Sequence, residues 1–297
     1  MKEKEWLKEK FKINPEDITN EKSLNEDKFG TFYSANYKGE DVVIKHVDYF
    51  QFESDYGRIL KDRDIIFLCD LASRGDNKFI GKFYGWCLVE KTIKIVLEPS
   101  IRSDIYSYLE PYSYYKYTFN LKQKIKILLE SAMGLAFLHK NGIIHTQFKS
   151  FNISLNKILV EPNDLDFTVK LTEFELFRGD DTNHCMKSGR YKYDAPESFE
   201  NDIFTNKSDI WQFGLFVFEM FSGRVCYTDK ITKNFNDTSI QKKTENGFRP
   251  HYKVEIMDDC PPEIIEFYMK CWEFHQKDRP NLKEVIEFLT AFYDKLG

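Results

Sequence analysis

The order of residue types along the chain predicts an α+β fold, with a small sheet-rich N-terminal lobe and a larger helical C-terminal lobe. Three observations carry this. Runs of aromatic and β-branched residues occupy the first hundred positions, and apolar repeats at three- and four-residue spacing occupy most of the remainder. The 297 residues, 42% of them hydrophobic, suffice for one substantial two-lobed domain.

The elements follow in order. Residues 2–12 fit a short helix, with Trp6, Leu7, Lys10 and Phe11 on one side, and Asn14-Pro15 stops it. Between residues 29 and 47 two paired strands turn at Gly39. A helix over 53–72 precedes strands at 79–89 and 92–98, which Pro99 ends. The segment 120–140 is helical by its apolar spacing and ends at Gly142. Short strands are expected at 152–160 and 167–171, and helices at 208–222, 261–273 and 281–294. The implied division is an extension over 1–20, an N-lobe over 21–99 and a C-lobe over 100–297.

Composition excludes several classes. A net charge of -5 and a pI near 5.8 argue against a nucleic-acid binder. No run of 18 uncharged apolar residues offers a membrane span, and the charged start lacks the apolar middle of a signal peptide. The six cysteines are scattered without C-x-x-C spacing, which fits free thiols in a reducing cytoplasm. His184 beside Cys185 has no further ligand near it in sequence, so no metal site is expected. Phe (27) and Tyr (17) are plentiful while Gly (14) and Pro (9) are sparse, a bias toward A/T-rich codons.

Seven segments in order carry the chemistry: V-V-I-K (42–45), G-L-A-F-L-H (134–139), I-I-H-T-Q-F-K-S-F-N-I-S-L (143–155), V-K-L-T-E-F-E-L (169–176), D-A-P-E (194–197), K-S-D-I-W-Q-F-G (207–214) and K-D-R-P (277–280). Together they resemble a protein kinase over roughly residues 20–295, which implies the two-lobed kinase-like fold. By that resemblance Glu197 pairs with Arg279, and Asp209 ties its helix to the catalytic loop. Leu68, Phe83, His145 and Phe174 match the apolar column that links the lobes.

Phosphoryl transfer needs a phosphate cradle, a lysine with its acid, metal ligands and a base. Of the three cradle glycines, whose positions fall on Asn25, Asp27 and Gly30, only the last is present. A carboxylate at Asp27 would repel a phosphate by roughly 4 kcal/mol at about 4 Å and an effective dielectric near 20. Lys45 is retained, and its expected acid best matches Asp64, with Glu53 a second candidate. Lys45 has the alternative of pairing with Glu173 or Glu175. Lys149, Asn152 and Leu97 complete a vestigial nucleotide-binding set, in which Asn152 either ligates a metal or caps local backbone. At the base position stands Gln147, whose neutral amide accepts no proton, and Thr146 replaces the arginine that would hold a loop phosphate. The metal-binding triplet reads Glu173-Phe174-Glu175, with a longer acid and no glycine. In the segment 176–194, which corresponds to the activation loop, Thr182 and Ser188 are either phosphorylation sites or ordinary polar loop residues.

The expectation is therefore a catalytically inactive pseudokinase that acts by binding, not an enzyme, with no cofactor beyond weak metal-free ATP binding through Lys45. Two alternatives are an atypical kinase that uses Glu173 for metal, and a cellular scaffold or allosteric regulator of another kinase. F-E-L (174–176) and D-D-C-P-P-E-I-I-E (258–266) are similar to the mixed lineage kinase domain-like pseudokinases of the necroptosis pathway. That resemblance implies a protein partner, the host receptor-interacting kinase, which the chain would sequester as a decoy. About 20 residues precede the kinase-like region, too few for the four-helix membrane-killing bundle of that family. With the codon bias, this implies a truncated viral homologue of the kind some poxviruses carry, working in the host cytoplasm.

Overall fold

Two residues with positive φ, Lys38 (52°) and Gly39 (89°), close the tight hairpin on which the N-terminal sheet is built. In the computed structural model the described residues are 4–27, 30–48, 62–75, 77–99, 104–109, 117–172, 192–201, 204–227, 237–249 and 260–297. They belong to two units, residues 1–101 and 102–297, sheet-rich and helical respectively, as the α+β reading expects.

In the first unit, β1 (Ile18–Asp27), β2 (Gly30–Tyr37), β3 (Glu40–Asp48), β4 (Phe83–Val89) and β5 (Thr92–Leu97) form an antiparallel sheet in the order β1-β2-β3-β5-β4. Ile18, Ala35, Tyr37, Val42, Ile44, Cys87 and Val96 pack into one buried cluster. Alternation along β3 puts Lys45 on the opposite face from Val42 and Ile44. Strand β1 was not expected from sequence. Its run I-T-N-E-K-S-L-N-E-D lacks apolar alternation because it is an edge strand with one neighbour. The helix α2 (Asp62–Ser73) buries Ile65, Ile66, Leu68, Cys69 and Leu71.

The N-terminal segment closes the other edge of the sheet. Helix α1 (Glu5–Lys10) buries Leu7, and the chain then runs beside β4: the Trp86 amide donates to the Phe11 carbonyl (3.1 Å) and the Ile13 amide to the Trp86 carbonyl (2.9 Å). The Trp86 indole donates to the Lys8 carbonyl at 3.0 Å, and Lys4 pairs with Asp70 of α2 at 2.9 Å. Gly85 permits this approach, since a Cβ there would lie 2.5 Å from the Phe11 oxygen and 2.6 Å from Ile13 Cγ2. Gly85→Ala is expected to detach the segment. Losing two backbone hydrogen bonds and the burial of Leu7 costs about 2–5 kcal/mol. Faster hydrogen exchange at the Ile13 and Trp86 amides, with new tryptic cleavage at Lys10 and Lys12, would show it; unchanged exchange would count against this seat.

The second unit is organised around α4 (Leu121–Lys140) and α6 (Asn206–Ser222); α3 (Ile105–Leu109), α5 (Pro196–Asn201) and α7 (Asp237–Glu245) are shorter. Both begin with reciprocal caps, Asn120 with Gln123 and Thr205 with Ser208, and α6 ends on Gly223 in the left-handed region (φ 62°). Every residue from Ser208 to Phe221 is buried, so α6 is the central helix, with Asp209, Gln212 and Glu219 as buried polar groups in an otherwise mostly apolar run. Helix α9 (Leu282–Lys295) packs on α4, and α8 (Pro262–Cys271) packs on α6. Strands β6 (Ile153–Leu155) and β7 (Val169–Leu171) pair antiparallel. The strand expected over 152–160 is this short β6, because the chain leaves the ladder after Leu155. Among the described residues no helix is long and apolar enough to cross a membrane.

Candidate functional site

The loop of residues 145–152 in the second unit is fixed from below by α6. Asp209, with no exposed surface, accepts hydrogen bonds from the amides of His145 (2.8 Å) and Thr146 (2.9 Å). Its Oδ2 also lies 2.7 Å from His139 Nε2 at the end of α4. One turn on, Gln212 accepts from the Phe148 amide (2.9 Å) and donates to the Thr146 carbonyl (3.0 Å). Between these anchors Thr146 adopts φ 63°, an unfavourable region for a β-branched residue, and this persists only where surroundings over-determine the backbone.

Asn152 is buried, and its Nδ2 donates to the Gln147 carbonyl at 2.9 Å. That bond commits the amide nitrogen and leaves Oδ1 as a hard oxygen able to take a divalent cation, so the capping and metal readings of Asn152 are chemically compatible. Gln147 itself is half-buried, and its backbone N–H donates weakly to His145 Nδ1 at 3.4 Å. Lys149 places its ammonium 5.6 Å from the Phe151 ring, which stacks on Tyr106 with centroids 3.6 Å apart. Glu173 and Glu175 lie outside the described residues, as do Thr182, Ser188, His184 and Cys185.

In the first unit Lys45 is fully buried on β3, opposite Phe32 on β2 and Ile95 on β5. Its Nζ sits 4.5 Å from the centre of the Phe32 ring. Leu97 is half-buried on β5, opposite Val43 and Phe83. Asp27 is the last residue of β1 and pairs with Gly30; Asp64 stands in the first turn of α2. The side chains of Asp27 and Asp64, like residue 53, are outside what is described.

Glu197 and Arg279 meet in the second unit through two parallel bonds of 2.8 Å. Arg279 also donates to the carbonyls of Glu273 (2.8 Å), Lys207 (2.8 Å) and Phe274 (3.1 Å), so all five of its N–H groups are used.

The model of the protein tyrosine and serine/threonine kinase family matches residues 18–289. The chain belongs to this family. Tyrosine-protein kinase Fer of Rattus norvegicus is 27% identical over 302 residues, covering 99% of this chain and 33% of its own length. Serine/threonine-protein kinase STY17 of Arabidopsis thaliana is 24% identical over 291 residues, covering 97% of this chain and 47% of its own. The chain thus spans about a third of the first of these relatives and about half of the second.

These relatives correct the expectation that the chain is not an enzyme, since they are tyrosine and serine/threonine protein kinases. The inference treated three replaced parts, the cradle glycines at Asn25 and Asp27, the base position Gln147 and the triplet Glu173-Phe174-Glu175, as an absolute loss. General-base catalysis is one contribution of about 10²–10⁴ in rate, whereas phosphoryl transfer rests mostly on positioning and charge. The finer likeness to the mixed lineage kinase domain-like pseudokinases, and a viral source, have no support in these relatives, and the segment 174–176 lies outside the described residues.

One group the motif reading passed over is Glu219 on α6. Burial raises its carboxyl above the ordinary range, against hydrogen bonds from the Cys226 amide (2.9 Å) and the Tyr193 hydroxyl (2.5 Å). Tyr193 directly precedes D-A-P-E, so Glu219 ties that segment to the central helix. An acid inside the apolar run F-V-F-E-M-F was the available signal.

Proposed function

We propose that this chain is a protein kinase domain of low turnover, which transfers the terminal phosphoryl group of a nucleoside triphosphate to a hydroxyl of a protein. The observation that carries the reading is the loop of residues 145–152, held by Asp209 and Gln212 while Asn152 keeps an oxygen free of its hydrogen bond to Gln147. A loop fixed in this way supplies positioning, the larger part of this chemistry. By the kinase resemblance Lys45 would be the cation that meets the donor's phosphates, and Asn152 with Glu173 would supply oxygens to a divalent ion. The ion would neutralise charge on the donor.

Gln147 cannot take the acceptor's proton, so that proton must leave to solvent as the bond to phosphorus forms. Turnover is then about 10⁻⁴–1 s⁻¹, taking ordinary kinase rates of about 1–100 s⁻¹ and a loss of about 10²–10⁴. The names of the relatives support either tyrosine or serine and threonine as acceptor. The protein partner is proposed at that level, and the necroptotic receptor-interacting kinase stays a narrower proposal within it.

The test is incorporation of labelled phosphate from ATP into mixed protein acceptors, with Lys45→Met beside the wild type. Incorporation is expected to fall at least about 10²-fold in the variant, as when one charge-stabilising group is removed. A wild-type signal no higher than that of Lys45→Met would end the proposal.

A further inference from the structure

We propose that Phe151 and Tyr106 form an aromatic shelf beside the loop of residues 145–152, which selects acceptor polypeptides carrying an aromatic side chain near the hydroxyl to be phosphorylated. The proposal rests on the kinase reading for the reaction and on the second unit alone for its geometry. Phe151 is 44% exposed, although it sits in the candidate site between Lys149 and Asn152. Its ring stacks on Tyr106 of α3, with centroids 3.6 Å and planes 20° apart. Single exposed apolar residues are ordinary on protein surfaces. A ring held in a stack and still open to water differs from these, because the stack fixes the direction its exposed part faces.

Both halves of the shelf are anchored. The Asn152 amide donates to the Lys149 carbonyl (2.8 Å), and the Asn152 carbonyl accepts from the Thr172 amide (3.0 Å), so the main chain beside Phe151 is fixed. Helix α3 buries Ile105, Tyr108 and Leu109, and the Tyr108 hydroxyl accepts from the Leu159 amide at 2.9 Å. Just before it, the Asp104 carboxylate accepts from the Ser107 amide and hydroxyl at 2.8 Å each, and Asp104 bridges to Ser154 of β6. A ring already held in place loses little freedom when another ring lands on it, which is what an aromatic anchor requires.

The place in the loop names the occupant. In the kinase reading an acceptor hydroxyl reaches the donor phosphate near Gln147 and Asn152, so the polypeptide that carries it runs along this loop. Phe151 directly precedes Asn152 and is the exposed apolar group such a chain meets. Arginine also stacks on rings, but Lys149 already brings an ammonium to 5.6 Å from the Phe151 ring and disfavours a second cation. An uncharged ring is the better fit.

The test uses the whole chain, ATP and a peptide library built around a central tyrosine, serine or threonine, with Phe, Ala or Arg placed at each flanking position in turn. Wild type is expected to phosphorylate the peptide with Phe at its preferred position about 10-fold more efficiently, in kcat/KM, than the alanine counterpart. This ratio is taken within one protein, so a general loss of activity in a variant cancels from it. In Phe151→Ser the ratio is expected to fall to about 2 or less, and in Phe151→Leu, which keeps an apolar surface without the π face, to lie between. Tyr106→Ser removes the prop and leaves the loop residue in place, and it should lower the ratio as well. Fluorescence polarisation of the same two peptides, labelled, reads binding without any transfer.

The outcomes separate. No aromatic preference in the wild type, a preference for Arg over Phe, or an undiminished ratio in Phe151→Ser overturns the shelf and leaves the kinase reading untouched. A higher KM for ATP in Phe151→Ser with the peptide ratio intact gives the rings to the donor's base and also overturns it. A binding preference that is lost in Phe151→Ser, with no transfer by any of the proteins, supports the shelf as a polypeptide site and removes the kinase reading instead.

Discussion

Replacing Arg279 with methionine is expected to lower the stability of the C-terminal unit by about 3–5 kcal/mol, the usual consequence of breaking a buried ion pair by deleting one partner. For a unit of this size that is a fall in midpoint of roughly 6–20 °C. The geometry argues for the upper part of the range. The Arg279 side chain is 0% exposed and Glu197 only 12%, so the orphaned carboxylate would keep little water. Its remaining help would be the Ser208 hydroxyl at 2.9 Å. The three carbonyls of Glu273, Lys207 and Phe274 would also lose their donor, and the guanidinium's place over the Trp211 ring, 5.1 Å from its centre, would go. Lysine at this position is expected to do little better, since one ammonium cannot span two carboxylate oxygens and three carbonyls. Glu197→Gln combined with Arg279→Met should be more stable than Arg279→Met alone, because the uncompensated charge is then absent. Differential scanning calorimetry of the set decides it. A double variant as unstable as the single one would mean that lost packing, not the stranded charge, dominates.

That pair was legible in the sequence because an acid and an arginine inside two recognisable segments have few alternatives once buried. The long helices were legible for a similar reason. The apolar spacing of α4 and the caps Asn120 and Thr205 are local signals, and tertiary packing agrees with them. Strand β1 was not legible, since its pairing to β2 is a long-range backbone matter that its polar side chains do not advertise. The ring opposite Lys45 was also hidden. The register that opposes Phe32 to Lys45 depends on the two-residue turn at Lys38 and Gly39, and a motif scan weighs the lysine without its cross-strand neighbour. On the chemistry, the conclusion drawn from the replaced residues, that the chain is not an enzyme, is what the kinase relatives overturn. Counting absent groups treats catalysis as a list of requirements, whereas each group contributes a finite factor and the backbone anchors under Asp209 contribute regardless of Gln147.

The proposed low turnover makes a gain-of-function change the sharpest remaining test. Gln147→Asp is expected to raise the rate of phosphate transfer about 10²–10⁴-fold by restoring a proton acceptor. The substitution suits the site physically. The backbone on either side is fixed by Asp209, Gln212 and the Asn152 amide through bonds to main-chain groups, so the loop should hold its course. Aspartate is one methylene shorter and half-buried at this position, which lets water screen its charge and limits any penalty on folding. Asn152 Nδ2 donates to the backbone carbonyl of residue 147, a bond that does not depend on the side chain. Gln147→Asn serves as the control of equal length without charge, and it should transfer no faster than the wild type. The rise should appear in kcat with little change in KM for the donor, because a base acts on the reacting proton and not on nucleotide binding. Should Gln147→Asp match the wild type while Lys45→Met abolishes both, proton removal is not limiting and the slow step lies elsewhere, as in product release.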